Sequence, residues 1–175
     1  KEGKPYNRVA EFTFSPDGKR LAHWAAQNGK LLMVLDGRDS AAYDELGMPV
    51  FSPDSKSFAH GGGVGVKKWV VVDGKPQKAY ASVGEPEFSP DSKRLVYLAD
   101  LSTDGPTVLV DSGKEGKQYD VIQEQLYFSA TGQRLAMVAT AGEQELVVVD
   151  GANHLFDGMT AEVGEALEDL LGDFD

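Results

Sequence analysis

An all-β fold made of four repeated antiparallel sheets is predicted by three features of this 175-residue sequence. A turn sequence related to FSPDG begins at Phe14, Phe51, Phe88 and Phe128, at spacings of 37, 37 and 40 residues. An apolar strand ending in Leu-Asp or Val-Asp follows each turn, at Leu35, Val72, Val110 and Val149. An aromatic residue recurs at Tyr6, Tyr43, Tyr80, Tyr119 and Phe156. Three landmarks in one register define an internal repeat of about 38 residues, the length typical of propellers and solenoids.

Each repeat contains four short segments with strand composition. The first leads into the turn, as in EPEFS at 85–89, and the second follows it, as in RLVYLAD at 94–100. The third ends in the Val-Asp landmark, and the fourth surrounds the aromatic residue, as in KAYAS at 78–82. These segments are rich in Val, Leu and aromatic residues and are bounded by turn residues. Four antiparallel strands in about 40 residues correspond to one blade of a β-propeller.

The repeated turns have the chemistry of tight connections. Ser15, in the first turn, can bind nearby backbone through its hydroxyl, Pro16 presets the φ angle of a type I turn, and Asp17 suits the next position. The fourth copy, Ala130-Thr131-Gly132, keeps the length and loses the proline. The Asp-Gly pairs at 36–37, 73–74 and 150–151 predict hairpin turns, because Gly tolerates positive φ.

The phased motifs FSPDGKRLA and VVVDGK resemble the WD-like propeller repeats of the TolB type. The resemblance covers residues 1–158 and implies four blades at approximately 12–45, 49–82, 85–121 and 125–158, with an extra outer strand at 1–8. It also implies a periplasmic or secreted location. The Trp-Asp dipeptide of true WD repeats is missing, so the partners of that family are not carried over.

The number of blades leaves closure of the ring open. Four turn motifs but five aromatic strands are present, because KEGKPY at the start matches KEGKQY at 114–119. Blades pack through apolar faces, and an open arc of four would leave two such faces in water. The arc therefore closes as a small ring, belongs to a larger propeller, or pairs with a second copy as a homodimer.

The segment 159–175 differs from the repeats. Val163, Ala166, Leu167, Leu170 and Leu171 recur at helical spacing among acidic residues. This pattern predicts a short amphipathic C-terminal helix, and a frayed acidic terminus is the alternative.

Composition narrows the classes of partner. The formal net charge of -11 argues against nucleic acid, whose phosphates require clustered Lys and Arg. The longest apolar runs are far shorter than the ~20 residues of a membrane span, so no membrane insertion is expected. A protein or peptide partner, in particular a basic one, suits the charge, although a negative surface also serves solubility alone. There are no cysteines, and we expect no cofactor.

The best candidate binding residues are acidic side chains near the points where one blade leads to the next: Glu11, Glu45, Glu85 and Glu124. In propellers these loops surround one mouth of the central channel, where carboxylates would attract a cationic peptide or a metal. Solvated turn residues are the alternative interpretation.

Two other motifs have structural explanations. Asp100, Ser102 and Asp104 imitate the first ligands of a calcium loop, but the flanking helices and the usual final Glu are missing. His60-Gly-Gly-Gly63 imitates an oxyanion-hole loop, yet the chain contains no Gly-x-Ser-x-Gly nucleophile turn. His60 occupies a strand position of the repeat, and we expect the glycines to form the connection that follows. No metal site is predicted.

The sequence therefore predicts a non-enzymatic propeller scaffold that binds a protein, peptide or other ligand. The alternative hypothesis is the gating, non-catalytic propeller domain of a larger hydrolase of the prolyl oligopeptidase type. A fold alone does not decide between them.

Overall fold

The computed structural model describes residues 3–150, which form β-strands and contain no helix. The strands make four consecutive antiparallel sheets, named blades 1 to 4. Blade 1 has the order β1-β2-β3-β4, with β1 (Arg8–Phe14), β2 (Leu21–Gln27), β3 (Lys30–Leu35) and β4 (Arg38–Tyr43). In blade 2, β7 (Phe58–Val64) pairs with β5 (Glu45–Leu46), β6 (Val50–Phe51) and β8 (Lys67–Val72), and β9 (Lys75–Pro76) lies outside β8.

Blades 3 and 4 repeat the same arrangement. In blade 3, β12 (Leu95–Asp100) pairs with β10 (Ser82–Val83), β11 (Glu87–Phe88) and β13 (Thr107–Asp111), and β14 (Lys114–Tyr119) is the outer strand. Blade 4 contains β15 (Val121–Phe128), β16 (Leu135–Ala141) and β17 (Gln144–Val149). The predicted outer strand around Phe156 and the predicted C-terminal helix lie outside the described residues.

Neighbouring blades pack through apolar faces. Strand residues alternate between the two faces of a sheet, so each blade has one face for the preceding and one for the following blade. The buried residues between blades 1 and 2 are Ala22, Met33, Tyr43, Leu46, Phe58 and Val71. Those between blades 2 and 3 include Ala59, Val70, Tyr97 and Val110. Those between blades 3 and 4 include Val96, Ile122, Leu135 and Met137.

The four blades form an arc. Each of the three apolar clusters joins consecutive blades, and within residues 3–150 none joins blade 4 to blade 1. The described chain is an all-β propeller arc, as the repeat predicts, and the small closed ring is not the arrangement seen.

The repeated turns have the predicted chemistry. The hydroxyl of Ser15 donates to Asp17 at 2.7 Å and accepts from the Arg20 N–H at 3.0 Å. Ser52 and Ser89 make the equivalent bonds. The residues that close the four turns all have positive φ: Gly18, Ser55, Ser92 and Gly132.

The inner strand of every blade is irregular at the same place, a few residues before the turn. Blades 1 and 4 have a register shift there, between Ala10 and Thr13 and between Ile122 and Leu126. Blades 2 and 3 are interrupted by Gly47-Met-Pro49 and Gly84-Glu-Pro86, because proline has no N–H for the ladder. Each sheet consequently begins several residues before the predicted blade boundary, as at Arg8 in blade 1.

Two expectations differ from the structure. Residues 3–7 form no strand, although Asn7 N–H bonds to Ala26 O at 3.0 Å and leads directly into β1. Gly61, Gly62 and Gly63 lie within β7 rather than in a loop. Their small size has a packing reason, since a Cβ on Gly62 would lie 2.8 Å from the Tyr43 ring.

Candidate functional site

A cavity of about 950 Å³ lies between the inner strands of blades 2, 3 and 4. It lies on the side of the arc where the inner strand of each blade begins and the second strand ends, as the pairs Glu45–Gly63 and Ser82–Asp100 show. The repeated FSPD turns lie at the opposite end of the same strands. Its apolar lining comes from Leu46, Val83, Leu98, Ile122 and Leu126.

Three of the four predicted acidic residues line this cavity: Glu45, Glu85 and Glu124. Glu85 and Glu124 lie in the irregular parts of their inner strands, and both contribute to the cavity lining. Glu11 is not part of the cavity lining. It lies in the irregular part of β1, in blade 1, and is exposed with a φ of 54°.

Two further carboxylates complete the acidic lining, those of Glu87 and Asp100. Partial enclosure of Glu87 raises the pKa of its carboxyl, because removing water disfavours the charged form. Asp100 accepts a hydrogen bond from the hydroxyl of Thr107 at 2.7 Å, which fixes its carboxylate. Sequence reasoning missed Glu87, although it directly precedes the repeated Phe88.

The cavity contains one basic residue among its described lining. Lys68 Nζ lies 2.5 Å from Glu45 Oε2, and its side chain is mostly buried. This pair neutralises one carboxylate and leaves Glu85, Glu87, Asp100 and Glu124 without a cationic partner in the lining. The cavity lining therefore combines an excess of carboxylates with apolar side chains.

Three of the four hairpins on this side of the arc are held by a repeated contact. Asn7, Asp44 and Asp120 each follow an aromatic landmark. Their side chains accept the backbone N–H of Asn28, Gly65 and Gly142, at 3.2, 2.8 and 2.6 Å. Each bond crosses from the end of one segment to the hairpin of the next blade. The Tyr-Asx dipeptide is the sequence signal that identifies these residues.

The described residues contain no group of three or more His, Asp or Glu side chains placed to hold a metal ion. Asp100 ends β12, and Gly105 N–H bonds to Ser102 O at 3.1 Å in a tight turn. Asp104 is exposed in that turn. His60 is buried, with Nδ1 2.8 Å from Gly61 O and its ring edge-on to Tyr43, and burial lowers its pKa. It is a packing residue of the blade 1–blade 2 interface. No helix in residues 3–150 is long and apolar enough to cross a membrane.

Comparison with solved structures identifies the fold. TolB from Acinetobacter baumannii superposes with a TM-score of 0.51 at 18% identity, covering 81% of this chain and 40% of that one. The chain has a TolB-like β-propeller fold. The β-propeller domain of the Trilobed protease from Pyrococcus furiosus, which has an open velcro topology, gives a TM-score of 0.50 at 13% identity. That alignment covers 83% of this chain and 55% of the other.

The TolB-like arc spans about half or less of the length of these two proteins, and the similarity concerns the fold alone. No family model matches the sequence. No curated protein matches it either.

Proposed function

We propose that this TolB-like arc is a non-enzymatic interaction scaffold that binds a cationic peptide segment in the cavity between blades 2, 3 and 4. The observation that supports the proposal most directly is the composition of the lining, which combines five carboxylates with a single lysine. A concave surface with one sign of charge raises the local concentration of oppositely charged ligands and speeds their association.

The spacing of the carboxylates and the apolar part of the lining favour an extended peptide over a free cation. The carboxylates are spread along three blades and do not converge on one point, which suits several lysine or arginine side chains. Leu46, Leu98 and Ile122 offer apolar surface to the aliphatic parts of such side chains. The hairpins of blades 2 and 4 on this side of the arc are held by the Asp44 and Asp120 contacts, which lowers the entropic cost of binding beside them.

The lining also supports a role without catalysis. Its hydroxyl groups are those of Ser82 and Thr107, and no histidine lines the cavity among the described residues. The Thr107 hydroxyl donates to Asp100 and serves to orient that carboxylate. An activated nucleophile requires a base within hydrogen-bond reach and a group that orients the base. Asp100 lies within reach of the Thr107 hydroxyl, but among the described residues no second side chain binds and orients the Asp100 carboxylate.

The test compares two variants of equal charge. The triple variant Glu85→Gln, Glu87→Gln, Glu124→Gln removes three carboxylates from the cavity, and the control Glu11→Gln, Glu143→Gln, Glu145→Gln removes three outside it. The probe is a fluorescent peptide of alternating Lys and Leu, with its Glu-Leu counterpart as the negative probe. Fluorescence anisotropy gives Kd at two salt concentrations.

We expect the cavity variant to bind roughly 10- to 100-fold more weakly, because each exposed ion pair contributes about 0.2–1 kcal/mol. The control should stay within roughly twofold at physiological salt, where charges beyond about 8 Å are screened. Equal loss in both variants, or equal binding of the Glu-Leu peptide, would refute the proposal.

The second candidate function is the gating, non-catalytic propeller of a larger hydrolase. The structural similarity to the propeller domain of the Trilobed protease favours it. An open reading frame in which the coding sequence continues into an α/β-hydrolase domain would support this candidate. A reading frame without such a domain would support the scaffold.

A further inference from the structure

An arginine joins blade 1 to blade 2 on the side of the arc that carries the repeated turns. Arg20 follows the first turn, and its Nε donates to Asp36 Oδ2 of the same blade at 3.1 Å. Its Nη1 donates to Lys56 O in the turn of blade 2 at 3.2 Å. The guanidinium also lies over the ring of Phe51, 5.3 Å from its centroid. One side chain thus binds its own hairpin, the next turn and the next aromatic ring.

The same contact recurs between blades 3 and 4. Arg94 occupies the position of Arg20, and its Nε donates to Asp111 Oδ2 at 3.1 Å. Its Nη1 donates to Gln133 O at 3.3 Å, and its guanidinium lies 5.6 Å from the centroid of Phe128. The turns themselves also touch, since Asp17 N–H bonds to Ser55 Oγ at 3.0 Å in the first interface.

Blade 4 carries the arginine half of this contact without its partner. Arg134 occupies the position of Arg20 and Arg94. Its Nε is buried and has no hydrogen-bond partner within the described residues. Asp150, the counterpart of Asp36, is already bound by Arg94 and by the backbone N–H of Leu135. A buried guanidinium nitrogen without a partner is costly. Among the described residues no further turn follows that of blade 4, so Arg134 Nη1 also lacks the carbonyl acceptor that Arg20 and Arg94 find in the next blade.

Blade 1 carries the aromatic half. Phe14 is 65% exposed, whereas its repeat counterparts Phe51, Phe88 and Phe128 pack against the clusters between blades. Phe12 beside it is 60% exposed. The outer part of this face is covered, because Lys4 and Tyr6 bind Asp39 as Lys78 and Tyr80 bind Glu115.

We propose that the face of blade 4 turned away from blade 3, which no other described blade covers, docks on the face of blade 1 turned away from blade 2 in a second copy of this chain. Arg134 then lies over the Phe14 ring and donates to Lys19 O, the carbonyl that corresponds to Lys56 O and Gln133 O. Two arcs related by a twofold axis make this contact twice, which buries both faces and gives each Arg134 Nη1 the carbonyl acceptor that Arg20 and Arg94 have.

A second copy is the occupant favoured by the structure because both halves of a contact seen twice within the chain lie on its two ends. The same repeat register aligns them, residue by residue. Blade 1 and blade 4 of a single copy share no apolar cluster among the described residues. Contact within one chain is thus a separate outcome, which the experiment distinguishes.

The test uses disulfide formation, since the chain contains no cysteine. The Asp17–Ser55 contact predicts that Thr131 of one copy faces Gly18 of the other. Gly18 accepts a side chain, because Ser55 and Ser92 adopt the same positive φ at this position. We expect a mixture of Thr131→Cys and Gly18→Cys chains to give a crosslinked dimer under mild oxidation, and each variant alone to give far less.

Light scattering across a concentration series gives the second measurement. We expect twice the mass of one chain, and a roughly 10- to 100-fold weaker association for Arg134→Met, with no loss of thermal stability. Val66→Glu, at an exposed hairpin residue away from both faces, is the matched control and should not alter the mass. A monomer at all concentrations would overturn the proposal. So would an intramolecular disulfide in the Gly18→Cys, Thr131→Cys double variant, or Arg134→Met association equal to the parent.

Discussion

The serine that opens each repeated turn provides the most direct test of how the repeat is stabilised. Ser52 has no exposed surface, and its Oγ accepts the Ser57 N–H at 2.9 Å while donating to Asp54 at 2.7 Å. The substitution Ser52→Ala leaves the partly buried Ser57 N–H without a partner. Leaving one buried donor unsatisfied costs about 1–3 kcal/mol. The bond to Asp54 contributes less than its pKa shift alone suggests, because that carboxylate is in contact with water.

The fourth copy of the turn, which lacks the proline, supplies a matched control. Ser129 also accepts a backbone N–H, from Arg134 at 3.1 Å, but it is partly exposed and faces Thr131 instead of a carboxylate. Water can replace the hydroxyl there, so Ser129→Ala should cost about 1 kcal/mol less than Ser52→Ala.

Urea unfolding measures the difference. A loss of about 2 kcal/mol lowers the midpoint by roughly 1 M at an m-value of about 2 kcal/mol/M. A second readout follows from electrostatics, because the Ser52 hydroxyl is the main cause that lowers the pKa of Asp54 to about 2. In Ser52→Ala we expect this pKa to rise towards its ordinary value of 3.8, measured by NMR titration of the carboxyl. Equal destabilisation by Ser52→Ala and Ser129→Ala, with an unchanged pKa of Asp54, would refute the reasoning.

Three other outcomes follow from the described contacts. The lowered pKa of Asp54 stabilises the fold above pH 3.8, and this contribution is lost as pH falls towards about 2, so Asp54→Asn should remove that part of the acid dependence of unfolding. Burial lowers the pKa of His60 below 6.5, so stability falls as pH drops from above 6.5 through the lowered value. His60→Met should flatten thermal melts across that range, and an unchanged slope would contradict the assignment. Gly62→Ala places a Cβ 2.8 Å from the Tyr43 ring and should cost about 1–3 kcal/mol, whereas Gly61→Ala, whose Cβ meets its neighbour at 3.5 Å, should cost less in the same urea assay.

The architecture could be predicted from the sequence because its signals are local. The Ser-Pro-Asp turn is stabilised within five residues, as the bonds of Ser15 to Asp17 and to Arg20 N–H show. The hairpins depend on single pairs such as Asp36-Gly37, both at positive φ. Repetition of such local signals in one phase is sufficient to indicate blades, even without a matching family.

Strand boundaries were harder to predict, because the inner strands are irregular. The interruption at Gly84-Glu-Pro86 divides the inner strand of blade 3 into two strands of two residues each, so the sequence before Glu87 resembles a loop. The three glycines at 61–63 have a composition typical of a loop, yet they are strand residues. Gly62 makes room for the Tyr43 ring, and the backbone of Gly61 lies so close to Gly47 that a Cβ on Gly47 would be 3.1 Å from it. Contacts between blades override local propensity at these positions.

The candidate site was predicted in part for a related reason. Glu45, Glu85 and Glu124 were found because acidic residues recur where blades join, but their positions relative to the turn differ. To predict that Lys68 and Glu87 line the cavity, one must know which face of each strand points towards it, and an irregularity in a strand changes that face. Glu11 shows the consequence, since it lies in the irregular part of its own inner strand and still does not reach the cavity.

The two ends of the arc illustrate what repetition adds to a single structure. In an unrelated fold, exposure of Phe14 or an unpaired Nε of Arg134 would each be an isolated observation. Here the interior interfaces show what each residue contacts when a neighbouring blade is present. The contacts that Arg134 lacks on blade 4 are of the kind that Phe14 and the turn of blade 1 can supply. The acidic cavity lies at the opposite end of the strands from these turns. Dimerisation through Arg134 and Phe14 would therefore leave the cavity open, and the two proposals can be tested independently on the same protein.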